Sequence, residues 1–317
     1  METLLNVENL KQYYPIKGGV MGRTVNYVKA VDDISFSIME GETLSIVGES
    51  GCGKSTIGRS ILRLVEAKSG KIEFLGKDLL KINSAELRKM RKNLQIIFQD
   101  PFASLNPRQK IGKILEEVMI IQGIKDTKER VIKLLESVGL NEQAKDRYPH
   151  EFSGGQRQRI GIARALAVQP RLIICDEAVS ALDVSVQAQV LNLLKSLQKK
   201  HKLTYLFISH DLGVVKHISD RVMVMYLGKI VEIGDKESIF KNPKHPYTKA
   251  LLSAVPSLSS KNMTERVVLE GDLPSPIDPP DGCRFHTRCP FATEKCQSTE
   301  PELKQTTTSH QVACHLV

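Results

Sequence analysis

Apolar side chains recur along this chain at two different spacings, and the alternation between them predicts an α/β protein. Three short runs, residues 43–47, 172–175 and 204–209, are almost continuously apolar, as buried parallel strands are. Between such runs, residues 156–168 and 186–201 place apolar side chains at helical spacing. Strands that alternate with helices predict a mainly parallel sheet with helices on its faces.

Three stretches depart from this alternation. Residues 1–47 are β-rich and predict an antiparallel β subdomain, whereas residues 111–139 predict a helical insertion, placed at about 102–152. Seven of the 14 prolines fall in residues 256–317, where little periodicity is present. We therefore expect one domain over residues 1–255, followed by an irregular extension. That extension is either a linker or a small domain that needs a staple.

Composition narrows the class of protein. Of 317 residues, 41% are hydrophobic and 26% are charged, which suits a folded globular chain. No apolar run approaches the roughly 20 residues of a membrane-spanning helix, and the acidic start METLLNVENL does not resemble a signal peptide. We expect a cytosolic protein that does not cross a membrane by itself.

The net charge of +9 is compatible with nucleic acid, an anionic membrane surface or phosphate ligands. No basic run is long enough to form a nucleic-acid-binding arm. Residues 256–317 contain six Lys and Arg against eight Asp and Glu, so the positive excess lies in the first domain.

A glycine-rich loop follows the predicted strand at residues 43–47. The segment Gly48-Glu-Ser-Gly-Cys-Gly-Lys-Ser-Thr56 fits G-x-x-x-x-G-K-[ST] and lies between a predicted strand and a predicted helix, as this motif requires. Its N–H groups and the helix N-terminus are expected to face phosphate oxygens. Lys54 is expected to reach the β- and γ-phosphates, and Ser55 to bind Mg²⁺. The predicted phosphate-binding residues are Gly48, Ser50, Gly51, Gly53, Lys54, Ser55 and Thr56.

Two carboxylates follow the apolar run at residues 172–175. Asp176 is suited to Mg²⁺, usually through a bound water, and Glu177 is placed to orient or deprotonate an attacking water. Alone, two acids at this position are more often a solvated strand end. Together with the phosphate loop they predict hydrolysis of a nucleotide.

A second predicted anion site precedes the helix at residues 156–168, in His150-Glu-Phe-Ser-Gly-Gly-Gln156. One γ-phosphate does not need two such sites, so we expect this loop to close on nucleotide held by another subunit. Here the chain resembles the ATP-binding cassette (ABC) family, whose signature is Leu-Ser-Gly-Gly-Gln; Phe152 replaces the Leu. The resemblance covers about residues 1–240. It implies a P-loop (RecA-like) ATPase core and two subunits that clamp two ATP molecules between Ser153, Gly154, Gly155 and Gln156 of one and the phosphate loop of the other.

Further residues match this family in order. Gln99 matches the Q-loop, which joins the metal site to a transmembrane partner, and Ser180-Ala-Leu-Asp183 matches the D-loop at the dimer interface. His210 matches the switch histidine on the γ-phosphate, and Tyr14 is the best match to the aromatic residue that stacks on adenine, ahead of Tyr13 and Tyr27. The resemblance implies a catalytic set of Glu177, His210 and Gln99, and a Mg²⁺ set of Ser55, Gln99 and Asp176.

Segments near both ends of the chain indicate which subfamily of ABC proteins it resembles. Asn242-Pro-Lys-His-Pro-Tyr-Thr248 and Gly282-Cys-Arg-Phe-His-Thr-Arg-Cys-Pro290 resemble the C-terminal extension of oligopeptide/dipeptide importer ATPases. Tyr14-Pro-Ile-Lys-Gly and Tyr27-Val-Lys-Ala-Val-Asp-Asp resemble the second ("F") ATP-binding subunit of such importers more than the first. Nickel importers share much of this extension, so the resemblance does not decide which solute is imported.

The resemblance implies a peripheral subunit on the cytoplasmic face of the membrane that powers import of di- or oligopeptides. The implied partners are a sister ATPase in a heterodimer, two integral membrane permease subunits and, indirectly, an extracytoplasmic peptide-binding protein. Residues 100–107 and 102–149 are expected to receive a coupling helix of the permease. A non-transport cassette acting on DNA or ribosomes is the alternative. The chain lacks the second cassette and the basic arms that would favour it.

Four of the six cysteines lie in the last 35 residues: Cys283, Cys289, Cys296 and Cys314. They lack the C-x₂₋₄-C pairs of most structural zinc sites, and disulfides are not expected in the cytosol. Four thiolates can hold a [4Fe–4S] cluster, and similar tails in this subfamily are associated with such clusters. A cluster is therefore the expectation, with zinc and an unmetallated tail as the alternatives.

Overall fold

The computed structural model describes residues 2–18, 22–254 and 271–317. Contacts divide the chain into two compact units, each built from several segments. The first unit is built mainly from Met39–Thr43 and Lys81–Ser209, and the second from Thr3–Ile38, Leu44–Leu80 and His210–Val317. This division groups the extension with the glycine-rich loop. The boundary at residue 255 stays a proposal based on composition.

In chain order, the strands are β1 Thr3–Gly18, β2 Arg23–Met39, β3 Thr43–Val47, β4 Ser69–Phe74, β5 Lys77–Asp78, β6 Leu94–Ile97, β7 Leu172–Asp176, β8 Thr204–Ile208, β9 Arg221–Tyr226, β10 Lys229–Asp235, β11 Lys304–Thr307 and β12 His310–Val312. The α-helices are α1 Lys54–Ile61, α2 Ser84–Met90, α3 Pro101–Ser104, α4 Ile111–Ile121, α5 Thr127–Ser137, α6 Gly154–Leu166, α7 Val184–His201, α8 Leu212–Ile218, α9 Lys236–Lys241, α10 Pro246–Ser253 and α11 Glu294–Ser298. Short 3₁₀ turns lie at Glu142–Asp146, Pro149–Glu151 and His286–Arg288. Within the described ranges, no helix has both the length and the apolar character that crossing a bilayer requires.

In the first unit, β6, β7 and β8 pair in parallel, with Leu94 opposite Leu172 and Leu172 opposite Thr204. Every residue of β7 and β8 is buried, which explains why both strands are so apolar. The helical insertion consists of α4 and α5, which pack on each other through buried residues such as Leu115 and Leu135. Strand β6 was not predicted, because it has only four residues.

In the second unit, β2, β1, β4 and β5 form a sheet in that order, and β1 pairs antiparallel with β4, as predicted for the β-rich N-terminal region. Separately, β3 runs parallel to β9, and β9 continues into β10 through a tight hairpin. Leu227 and Gly228 both have positive φ (42° and 79°), as a two-residue hairpin turn requires.

The extension is less irregular than expected. Its strand β12 pairs antiparallel with β10, and β11 pairs with β12, so the end of the chain adds two strands to this second sheet. His310 of β12 is buried and its Nε2 lies 2.7 Å from Oε1 of Glu232 on β10. Short strands with exposed polar residues carry little apolar alternation, which is why the sequence pattern did not predict them.

Candidate nucleotide-binding site

The predicted phosphate loop connects β3 to α1 in the second unit, and two of its glycines are required by close backbone approach. Gly48 and Gly53 have φ of 149° and 104°. A Cβ atom would lie 2.2 Å from the carbonyl oxygen of Met225 at the first position and 2.0 Å from that of Ala30 at the second. Only glycine fits at either position, because both the backbone conformation and the neighbouring carbonyl exclude a side chain.

Lys54, the first residue of α1, folds back over the loop. Its side chain is buried, and its Nζ donates to the carbonyl oxygens of Gly48 (2.8 Å) and Glu49 (2.9 Å). Cys52, in the same loop, is also buried, and burial raises the pKa of its thiol despite the nearby Lys54 charge. The loop therefore holds the Lys54 amino group against its own carbonyl oxygens. Its tip residues Ser50 and Gly51 are exposed, and Ser55 and Thr56 lie half-buried in the first turn of α1.

The two predicted carboxylates lie at the end of β7 in the first unit. Asp176 is buried, and Glu177 has a left-handed backbone (φ 49°), a conformation that costs free energy unless neighbours hold it. The N–H of Glu177 donates to the carbonyl of Ile208 (3.0 Å), and Ser180 donates to the carbonyl of Glu177 through both its N–H and its Oγ. Gln99 donates from Nε2 to Oε2 of Glu177 at 2.9 Å. The structure thus brings the predicted Q-loop residue to the predicted general base.

The predicted signature loop forms the N-terminus of α6. Ser153 is the N-cap: its Oγ accepts from the N–H of Gln156 (3.4 Å), and Oε1 of Gln156 accepts from the N–H of Ser153 (3.1 Å). This capping box satisfies two backbone donors. The N–H groups of Gly154 and Gly155 have no intrahelical acceptor, because they are the first two of the helix. Ser153 and Gly154 are exposed, so the helix end is accessible to an anion.

Side chains behind the signature loop set its position. A Cβ atom at Gly155 would lie 2.4 Å from Cγ1 of Val186 on α7, so α6 and α7 approach closely at this residue. Phe152, which replaces the family's Leu, is buried, and the guanidinium of Arg147 lies 4.4 Å from its ring centre. The replacement therefore keeps an apolar anchor at the same place.

Three of the predicted motifs meet around one small cavity of about 160 Å³ in the first unit. It is lined by Gln99 and Asp100 after β6, by Gly154 and Gln158 of α6, and by Ala178 and Leu182 after β7. Gln158 is buried, and its Nε2 has no hydrogen-bond partner in the described part of the chain. Gln158 was not predicted as a site residue, because a lone Gln in an amphipathic helix carries no distinguishing pattern.

Asp183 and His210 lie at the surface. Asp183 precedes α7 as its N-cap residue but makes no side-chain hydrogen bond to that helix, so its carboxylate is not committed to capping. His210 lies two residues after the end of β8 and belongs to the second unit. Both roles stay predictions from the sequence.

The three candidate tyrosines differ in their contacts. The hydroxyl of Tyr13 donates to Asp32, and the ammonium of Lys68 lies 4.3 Å from the ring centre of Tyr13 and 5.1 Å from that of Tyr27. Tyr13 is therefore held through its hydroxyl by Asp32 and through its ring by Lys68. Tyr14 is half-buried on β1 and stays the predicted adenine-stacking residue.

The four cysteines of the extension are all unpaired. Burial raises the pKa of Cys283 to about 11, and the other three thiols add to the shift. In residues 2–18, 22–254 and 271–317, however, no group of three or more His, Cys, Asp or Glu side chains is arranged to hold a metal ion. The arrangement of the thiols does not fit the predicted [4Fe–4S] cluster, which finds no support here.

Comparisons with known proteins agree with these features. Residues 31–180 match the ABC transporter family model, and residues 231–296 match the oligopeptide/dipeptide transporter C-terminal region. The chain is 56% identical to the oligopeptide transport ATP-binding protein AppF of Bacillus subtilis, over 99% of this chain and 98% of that protein. It is 54% identical to the dipeptide transport ATP-binding protein DppF of Haemophilus influenzae, over 98% of this chain and 96% of that protein.

Solved structures share the fold. CbiO1 of Clostridium perfringens, part of an ABC transporter complex, superposes with a TM-score of 0.66 at 27% identity and covers 76% of this chain and 92% of its own. A dimeric ATP-binding cassette bound to ADP and Pi superposes with a TM-score of 0.65 at 27% identity, covering 73% of this chain and 98% of its own.

Proposed function

This chain belongs to the ABC transporter family, among its ATP-binding subunits, and from that premise we propose that it hydrolyses ATP to power import of oligopeptides or dipeptides. The observation that carries the peptide assignment is the match of residues 231–296 to the C-terminal region of oligopeptide/dipeptide transporters. Two named relatives, one for oligopeptides and one for dipeptides, agree with it over nearly the whole chain. The predicted fold class, an ABC ATPase core with parallel and antiparallel sheets, is confirmed.

In this proposal the phosphate loop and Lys54 bind the β- and γ-phosphates of ATP. Support comes from the glycines that let the backbone close around an anion, and from the ammonium held at the centre of the loop. Ser55, Gln99 and Asp176 are the proposed Mg²⁺ ligands, because hydroxyl, amide and carboxylate oxygens suit this cation. When bound, Mg²⁺ neutralises charge that develops on the phosphates.

Glu177 is the proposed general base that activates the attacking water. The hydrogen bond from Gln99 to Oε2 orients this carboxylate, which supports this role. His210 is proposed to bind near the γ-phosphate. Hydrolysis would then break the contacts that the γ-phosphate makes. The surface that follows Gln99, residues 100–149, would transmit the resulting movement to the membrane subunits.

The signature residues Ser153–Gln156 are proposed to close on ATP held by a sister ATPase, with Asp183 at the shared interface. The exposed N-terminus of α6 supports this arrangement, since its first N–H groups have no partner within the helix. Two integral membrane permease subunits and an extracytoplasmic peptide-binding protein complete the proposed importer. The chain would lie on the cytoplasmic face of the membrane and bind no nucleic acid.

Reconstitution tests this function. The chain would be co-purified with a sister ATPase and two permease subunits from the same organism and placed in vesicles with a peptide-loaded binding protein. We expect ATP hydrolysis that rises with loaded binding protein, together with ATP-dependent peptide uptake. Uptake of nickel without peptide would contradict the substrate, and salt-sensitive nucleic-acid binding without permease association would contradict transport.

A [4Fe–4S] cluster at Cys283, Cys289, Cys296 and Cys314 stays a prediction from the sequence alone. Four thiols are the ligands that such a cluster needs, but in the described residues they are not arranged as a metal site. Iron and acid-labile sulfide in anaerobically purified protein test it. One zinc and no iron would contradict it.

A further inference from the structure

An arginine of the C-terminal extension contacts the phosphate loop. Nη1 of Arg288 lies 2.9 Å from Oε2 of Glu49, the second residue of the loop, and 3.4 Å from the hydroxyl oxygen of Tyr226. The Arg288 side chain is 9% exposed and that of Glu49 is 26% exposed. Because water reaches this ion pair poorly, we expect it to be stronger than an exposed surface pair.

A second contact holds the backbone of the same loop residue. The N–H of Glu49 donates to the hydroxyl oxygen of Tyr247 at 2.8 Å, and Tyr247 is fully buried in α10. The carbonyl of Glu49 already accepts from Nζ of Lys54. The N–H, the carbonyl and the carboxylate of Glu49 therefore each have a partner, and two of the three partners lie beyond residue 240.

An aromatic cluster holds both partners in place. The rings of Tyr226, Tyr247 and Phe285 lie 4.8–5.4 Å apart, centre to centre, in edge-on or tilted contacts. Phe285 is buried, and its carbonyl accepts from the N–H of Arg288 at 3.0 Å, which closes the short turn that presents the guanidinium. Arg288 is thus carried by a turn whose first side chain is packed in the core, as a precise positioning residue requires.

We propose that Arg288 and Tyr247 are positioning residues for ATP binding, which fix Glu49 and so preorganise the phosphate loop. The inference rests on the proposed function and deepens it, because it gives the extension a part in binding nucleotide. A loop held in its bound conformation loses less freedom when the phosphates arrive, so its affinity is higher. The match to the ABC transporter family model ends at residue 180, before either residue.

Two measurements on the purified full-length chain test the proposal. One is the Kd for Mg²⁺–ATP, and the other is the midpoint of thermal unfolding without nucleotide. We expect Arg288→Met and Glu49→Gln each to raise the Kd about five- to tenfold, because each removes a charge-assisted hydrogen bond. The double variant should bind Mg²⁺–ATP no more weakly than the weaker-binding single variant, because the two substitutions remove the same contact. Arg288→Lys should recover most of the affinity, and Tyr247→Phe, which keeps the ring but removes the acceptor, should raise the Kd about two- to threefold.

The matched control is Glu300→Gln. It breaks the ion pair between Lys229 and Glu300 (2.6 Å), another pair made by the extension, without touching the loop. Its Kd should equal that of the wild type.

Three results would overturn the proposal: an unchanged Kd in Arg288→Met, additive effects in the double variant, or an equal loss of affinity in Glu300→Gln. If Arg288→Met does not fold, Glu49→Gln and Tyr247→Phe decide. Two other results would instead refute the proposed function. The wild-type chain binds no ATP, or the Lys54→Ala variant binds ATP as tightly as the wild type does.

Discussion

The side-chain amide of Gln99 donates a hydrogen bond to Oε2 of Glu177 across 2.9 Å. The two residues are 78 positions apart in the chain, yet each follows the end of one of two adjacent parallel strands, β6 and β7. Carboxyl ends of parallel strands meet at one edge of a sheet, where polar side chains from different strands can converge. The amide of Gln99 therefore orients the carboxylate of Glu177, the group proposed to activate water.

Removing the carboxylate of Glu177 while keeping its shape should separate binding from hydrolysis. We expect Glu177→Gln to bind Mg²⁺–ATP within about twofold of the wild type and to lower kcat by about 10²–10⁴-fold, the usual contribution of a general base. Phosphate release and nucleotide titration measure the two quantities. Near-normal turnover would refute the assignment, and Glu136→Gln, an exposed change on α5, serves as control.

Removing the amide of Gln99 should affect turnover more than affinity. In Gln99→Ala, Glu177 loses the hydrogen bond that orients its Oε2, so we expect kcat to fall about tenfold with a smaller change in KM. Steady-state kinetics of the assembled transporter measure both. Gln143→Ala, an exposed change in the same unit, should leave both constants unchanged. A loss seen only in KM would mean that Gln99 acts through substrate binding alone.

A methyl group at Gly155 should collide with α7. The added Cβ would lie 2.4 Å from Cγ1 of Val186, so we expect Gly155→Ala to lower the free energy of unfolding by about 1–3 kcal/mol. Val186→Ala in the same chain should restore part of that loss, because it removes the colliding atom. Urea unfolding of the two single variants and the double variant measures the coupling. Additive losses would show that the contact with Val186 is not the cause.

Stability should decline in mild acid through His245. Burial lowers the pKa of His245 from 6.5 to about 4. Its ring Nδ1 accepts from the backbone N–H of Tyr247 (3.1 Å), and its backbone N–H donates to Oε2 of Glu232 (3.0 Å). The unfolded chain therefore binds a proton that the folded chain does not, between pH 6.5 and about 4. In this window the free energy of unfolding falls as pH falls, by about 3 kcal/mol in total from this residue.

Replacing this histidine isolates its contribution. His245→Asn keeps an acceptor at the N-cap of α10 but cannot be protonated, so the decline below pH 6.5 should become shallower. His150→Asn, a histidine change at an exposed position, should leave the slope unchanged. Denaturant unfolding at several pH values measures the slopes, and equal slopes in the wild type and His245→Asn would refute the assignment.

The elements that the sequence predicted well are those whose residues are buried on a regular period. Strands β7 and β8 and helix α7 were located to within two residues, because their apolar spacing is determined by burial. The extension was predicted less well. Strand β11 has no buried residue, so it shows no alternation, and its pairing with β12 depends on hydrogen bonds that no side-chain pattern encodes.

The sequence by itself determined the family and the motifs, because phosphate binding needs particular residues at fixed short spacings that remain visible in one chain. Tertiary structure alone decided which distant side chains act on those motifs. Gln99 reaches Glu177 only because β6 and β7 are neighbours, and Arg288 reaches Glu49 from 239 residues away because its turn is anchored in an aromatic cluster. Such contacts depend on how the chain packs, and no local pattern of residue types records them.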